Sequence, residues 1–319
     1  MTRTGRPRTP VRAASGPFPA PGAPPGTSGW PGRLARLPWL LLAALVLAQI
    51  GYPLTGGTGR DRLTVATVVL GFLLSVGHAL LSRGPRTAVA LVAVTGAGGL
   101  AVEAVGVATG LPFGGYAYSG DLGPRLAGVP LVIPLAWTWM AWPAWLAAVR
   151  LTGGAQAGAA RHTGAVRAGT NRRTGGARAG AVGRIGLAGL GLAAWDVFLD
   201  PQMVAEGYWT WRNPHPALPG VPGVPVGNYL GWLLVAVAMM ALLWRTAAAP
   251  ARVTTPDDAP MHLLYLWTYA SSVLAHAVFL DLPGSALWGA LAMSALAVPL
   301  ARGVAAPWFA HLAARRGPK

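Results

Sequence analysis

The sequence predicts an all-α protein, a polytopic membrane bundle of about eight transmembrane helices with both termini in the cytoplasm. Three observations carry that reading. Hydrophobic residues make up 53% of the chain and charged residues 11%, a balance outside that of soluble domains. The apolar residues lie in long uninterrupted runs, each near the ~20 residues that cross ~30 Å of hydrocarbon at a helical rise of 1.5 Å. The 25 Lys and Arg residues, set against nine acids, gather between alternate runs.

Taken in order, residues 1–33 are rich in Pro, Gly, Ser and Arg without an apolar period, and read as a disordered basic arm. The first run, 37–54, is long for the core of a signal peptide and lacks a small-residue cleavage site, so it reads as a spanning helix. Seven more runs follow at about 63–82, 87–108, 127–149, 183–203, 227–248, 261–281 and 285–304. The Gly, Ala, Thr and Arg of 151–182 read as a flexible cytoplasmic loop between two four-helix halves, 34–150 and 183–308, with a basic tail at 309–319.

Charge tests this topology. With the N-terminus inside, 21 of the 25 cationic residues fall in inner segments and only Arg60, Arg62, Arg125 and Arg212 fall outside, as the positive-inside rule requires. The formal charge of +16 is thereby a topology signal, and no nucleic-acid partner is inferred from it. Cysteine is absent, which excludes disulfides, thiolate metal sites and a Cys nucleophile. The six histidines form no His-x-x-x-His or His-x-x-His-His cluster, so no metal site of the membrane di-iron type is expected. His262, Tyr269 and His276 recur every seven residues and mark one stripe of the seventh run, suited to helix–helix hydrogen bonds.

The acids are the informative minority. Asp61, Asp257 and Asp258 fall in loops and read as solvated, whereas Glu103, Asp121, Asp196, Asp200, Glu206 and Asp281 all fall at the outer ends of runs or in outer loops. A charge inside a span costs roughly 2.5–3.5 kcal/mol on insertion scales and usually faces the bundle interior. Asp196 and Asp200, four residues apart, share one helix face. Pro201 predicts a kink or a helix restart, which leaves Asp200 either a functional carboxylate or a cap. Glu103 and Glu206 sit close enough to a helix end either to function or to reach water, and Asp281, beside Leu282-Pro283-Gly284, reads as a loop residue. Between the third and fourth runs, Leu111-Pro112-Phe113-Gly114-Gly115-Tyr116-Ala117-Tyr118 suits either a lid over the bundle or an interfacial aromatic belt. Trp137 and Trp139 fall near the expected midplane, where they pack the core or line a pocket, while Trp145 suits a belt.

Several short motifs recur here in a fixed order: Glu103-x-x-Gly106, Pro112-Phe113-Gly114-x-Tyr116-x-Tyr118, Leu122-Gly123-Pro124 with Gly128-Val129-Pro130, Asp196 with Leu199-Asp200-Pro201, Gly207-x-Trp209-x-Trp211, and Asn228-Tyr229-x-Gly231-Trp232. Together they resemble the integral membrane carotenoid biosynthesis family, which includes carotenoid 1,2-hydratases of the bisanhydrobacterioruberin type. One departure is Pro222 before Gly223-Val224-Pro225, where the family usually has an aromatic residue.

The resemblance implies addition of water across the terminal C1=C2 double bond of an acyclic carotenoid end, giving a tertiary alcohol, by a multi-pass enzyme of the cell membrane. It implies Asp196, Asp200 and Glu103 as catalytic residues, with Phe113, Tyr116, Tyr118, Trp137, Trp209, Trp211 and Asn228 binding substrate. No cofactor is called for, and the partners implied are a hydrophobic polyene, the lipid bilayer and other enzymes of the carotenoid pathway. Protonating an alkene needs a carboxylic acid that keeps its proton, a state favoured by burial and by a neighbouring carboxylate. Asp196, the deeper residue, is the expected general acid, with Asp200 or Glu103 activating water, and Tyr116, Trp209 and Trp211 stabilising the cation through their π faces. Two alternatives stand beside this one. A membrane prenyltransferase would use Asp196-x-x-x-Asp200 as half of a diphosphate site but would need a second Asp-rich motif facing the cytoplasm. A non-catalytic carotenoid-binding protein would keep its pigment unchanged.

Overall fold

The computed structural model describes residues 34–162, 170–247 and 249–315; the basic arm read at 1–33 lies outside them. Eight long helical segments run through the described residues. They are α1 (Leu37–Gly51, with 3-10 turns at both ends), α2 (Thr58–Arg83), α3 (Pro85–Thr109, with a π turn at Val92–Ala97), α4 (Val132–His162), α5 (Thr170–Ala205), α6 (Val226–Thr246), α7 (Ala259–Leu274, continued by a π turn at Ala275–Phe279) and α8 (Pro283–Arg315). Seven are long and apolar enough to span a membrane. The eighth, α7, falls at the seventh expected run, and its hydropathy is lowered by His262, Thr268, Tyr269, Ser271, Ser272 and His276. The chain is a polytopic helical membrane protein.

The helices reach further than expected at one place. Residues 151–162 continue α4 and 170–182 begin α5, so the helical backbone covers much of the stretch read as a loop. Ala and Arg, abundant there, are strong helix formers.

Pro143 lies inside α4 and Pro201 inside α5, and neither breaks its helix. A proline lacks the N–H that would bond the carbonyl four residues earlier, and that carbonyl must find another donor. Ser75 Oγ on α2 donates to the Trp139 carbonyl at 2.7 Å, and Ser285 Oγ on α8 donates to the Val197 carbonyl at 2.8 Å. Each serine supplies from a neighbouring helix the hydrogen bond its proline removes. The restart expected at Pro201 is therefore absent, and Asp200 caps nothing.

α4 is the centre of the bundle, with 94% of its span-length apolar stretch buried, against 17% for α1 at the periphery. Its four tryptophans are all buried. Trp145 is not an interface anchor, because it is fully enclosed and its Nε1 donates to the Ala251 carbonyl at 2.8 Å. The His stripe of α7 serves packing through His276, whose ring nitrogens meet Ser285 Oγ at 2.9 Å and Gln202 Oε1 at 3.2 Å.

At one end of the bundle the two long connections meet. β1 (Tyr116–Tyr118) pairs antiparallel with β4 (Trp209–Trp211), in register Tyr116 with Trp211 and Tyr118 with Trp209. β2 (Arg125–Leu126) and β3 (Val129–Pro130) form a separate short hairpin. Side chains alternate along a strand, so Tyr116, Tyr118, Trp209 and Trp211 stand on one face of the β1–β4 ribbon. That face turns toward the helices and covers the site.

Candidate active site

Three carboxyl groups are buried beneath the ribbon: Glu103 near the end of α3, and Asp196 and Asp200 one turn apart on α5. Gly110, at φ +80°, terminates α3 in the left-handed conformation and turns the chain back so that Tyr116 and Tyr118 reach Glu103.

Glu103 is held by three donors. Its Oε2 accepts from the Tyr116 hydroxyl and, at 2.8 Å, from the Tyr118 hydroxyl, and its Oε1 accepts from Trp137 Nε1 at 3.2 Å. Burial and the adjacent Glu103 push both phenols well above their ordinary range, so Tyr116 and Tyr118 remain neutral donors. A carboxylate accepting three hydrogen bonds is satisfied as an anion.

The aspartates form a second unit around Asn228, which α6 presents near its start. Asn228 Nδ2 donates to Asp196 Oδ2 at 3.2 Å and also to Asp200 Oδ2, while Trp209 Nε1 donates to Asp200 Oδ1 at 3.1 Å. Asn228 Nδ2 thus bridges the two carboxyl groups. No donor reaches Asp196 Oδ1. The ion pairs among the described residues lie elsewhere, at Arg60–Glu206 and Arg83–Asp258, so no salt bridge neutralises the aspartates. Two like charges so close and so buried are strongly unfavourable, whereas one shared proton turns the contact into a donor–acceptor pair.

Glu103 and Asp200 face one small cavity, whose walls include Phe113, Tyr116, Tyr118, Trp137, Trp209, Trp211 and Asn228. Every binding residue expected from the sequence therefore lies in one wall. Asp196 does not; it sits behind Asp200, fully buried. The deeper position that marked Asp196 as the expected acid is what removes it from the cavity.

The other outer acids do not join them. Glu206 pairs with Arg60 at 2.5 Å, both one-fifth exposed. Asp121 is exposed and bonded by Ser119 Oγ at 2.8 Å, and Asp281 is an exposed residue at φ 54°.

Trp232 belongs to the site although it was not among the expected site residues. It stacks on Trp137 with centroids 3.7 Å apart and planes 13° apart, and it lines the cavity. Its signal was the helical spacing, since Trp232 lies four residues after Asn228 on the same face. Gly231 beside it is a close approach: a Cβ there would stand 2.8 Å from the Pro112 carbonyl oxygen and 3.1 Å from the Phe113 ring. Gly231→Ala is expected to cost about 1–3 kcal/mol by forcing the Pro112–Phe113 turn aside; a thermal unfolding midpoint equal to that of the unaltered protein would contradict this.

Comparison with known proteins places this architecture. The family described as carotenoid biosynthesis protein matches residues 63–297. The chain belongs to that family. Over 150 residues it is 33% identical to a bisanhydrobacterioruberin hydratase of Haloarcula japonica, a match covering 47% of this chain and 42% of that relative. The chain thus spans less than half the length of the curated relative it matches. No solved structure matches it. The carotenoid biosynthesis family match includes the third to seventh long helices and both ribbon strands, and so the whole carboxyl site.

Proposed function

We propose that this carotenoid biosynthesis protein is a carotenoid hydratase of the cell membrane, adding water across the terminal C1=C2 double bond of an acyclic carotenoid end. The observation that carries the reading is the separation of the carboxyl groups into two kinds in one aromatic cavity. Asp200 shares the Asn228 donor with a second buried carboxyl, Asp196, whereas Glu103 is saturated with donors.

In this mechanism Asp200, sharing its proton with Asp196, protonates C2 and leaves a tertiary cation at C1. The Glu103 carboxylate and the π faces of Tyr116, Trp209 and Trp211 stabilise that cation, each ring by about 2 kcal/mol or more when desolvated. Water adds its oxygen to C1 and returns a proton to Asp200, which restores the pair and yields the tertiary alcohol. Asp196 never touches substrate; it is a positioning residue that holds the proton within the pair.

The family membership and the hydratase named among its relatives support the reaction class, and the apolar helices suit a substrate dissolved in the bilayer. Expression in cells that accumulate lycopene is expected to yield pigment heavier by one or two waters. Gain of a five-carbon unit would point to prenyl transfer, and unaltered pigment in cells containing the folded protein would sink the proposal.

A further inference from the structure

A second, larger cavity opens beside the carboxyl site. It lies among α1, α2, α4, α5 and α7, and four residues line both cavities: Ile133, Ala136, Leu199 and Trp209. These four stand between the two. The smaller chamber carries the chemistry, and the larger one has no part in the mechanism above.

We infer that the larger cavity binds the shaft of an acyclic polyene, entering from the bilayer between α1 and α7 and passing its end group to Asp200 through a neck that these four residues open. This rests on the hydratase reading for the identity of the end group, but the cavity does not depend on it. Three observations carry the inference. One wall is apolar and aromatic, built by Trp139, Trp195, Phe198 and Val132, and is suited to a conjugated chain. α1, which closes one side, is the least buried of the seven apolar spans; Trp267 Nε1 of α7 donates to Gln49 Oε1 of α1 at 2.7 Å, bridging the two helices where Gln49 lines the cavity. A substrate dissolved in lipid reaches a buried site sideways, between helices, and α1 and α7 both line this cavity, through Gln49, Ser271 and Ser272.

The third observation concerns water. Thr67 Oγ1 and Trp139 Nε1 line this cavity, and both are buried without a hydrogen-bond partner. Buried donors of this kind are normally satisfied by ordered water. Water taken up beside the polyene would satisfy them.

The test uses the full chain in lipid nanodiscs loaded with lycopene. The unaltered protein is expected to retain the polyene in stoichiometric amount with a red-shifted absorption. Ser272→Trp and Ala275→Phe each place an aromatic ring in the cavity from α7, remote from the carboxyl groups, and are expected to lower bound pigment by about tenfold or more. Leu287→Phe, on the exposed face of α8 and outside both cavities, is expected to bind as the unaltered protein does. Asp200→Asn is expected to bind pigment normally while giving no hydrated product. Retention of pigment by both filled variants would overturn the inference, as would failure of the unaltered protein to bind. Binding that is lost on filling, in a protein that never hydrates its pigment, would uphold the cavity and sink the hydratase instead.

Discussion

Asp200→Asn is expected to lower hydration by about 10²–10⁴-fold, the usual contribution of a positioned general acid. The substitution preserves shape and removes the transferable proton. Trp209 Nε1 still finds an oxygen acceptor, and the new amide can pair with Asn228 Oδ1, which has no partner in the unaltered site, after rotation of the Asn228 amide. The variant is thus expected to fold and to bind pigment. Asp196→Asn is expected to lose less activity, because Asp196 does not line the cavity. The ratio of hydrated to unhydrated pigment in lycopene-accumulating cells measures both effects. Equal losses would return Asp196 to the role of acid, and full activity in Asp200→Asn would remove the carboxyl pair from the mechanism.

The distinction between the two aspartates shows where sequence reasoning stops. Spacing placed Asp196 and Asp200 on one face of one helix, and α5 bears that out. It did not say which of them faces open space, because depth along a helix is not exposure to a cavity. The ribbon was legible in part. The alternating aromatics of Tyr116-x-Tyr118 and Trp209-x-Trp211 carry a period of two, but their pairing across more than 90 residues needs the helices between them to return the chain. The span count was legible because an uninterrupted apolar run has few alternatives in a chain of this composition. Pro201 gave a kink or a restart as alternatives, and α5 does not restart there, since the donor that replaces its missing hydrogen bond is Ser285, on another helix.

Asp258 was the most misleading residue, and it leads to the largest stability effect expected. It reads as a solvated loop acid, but its side chain is completely buried against an equally buried Arg83 at 2.5 Å. Arg83 Nη2 also donates to the Val253 carbonyl at 3.1 Å, and Asp258 accepts from the Thr255 backbone N–H at 2.8 Å. Nearby, His78 accepts from Trp142 Nε1 at 3.0 Å and meets the Asp257 carbonyl at 2.8 Å. The end of α2 is thereby fastened to the connection between α6 and α7, far from the carboxyl site. Arg83→Ala leaves Asp258 as a buried charge without its counter-ion and is expected to cost about 3–5 kcal/mol. The double variant Arg83→Met with Asp258→Leu removes both charges and is expected to cost clearly less than the sum of the single changes. Unfolding of purified protein in mixed micelles, followed by circular dichroism, measures the cycle. Additive losses would mean that the pair does not act as a unit. Since the fastening lies at the other end of the bundle, the fraction of Arg83→Ala that remains folded is expected to hydrate pigment at the unaltered rate.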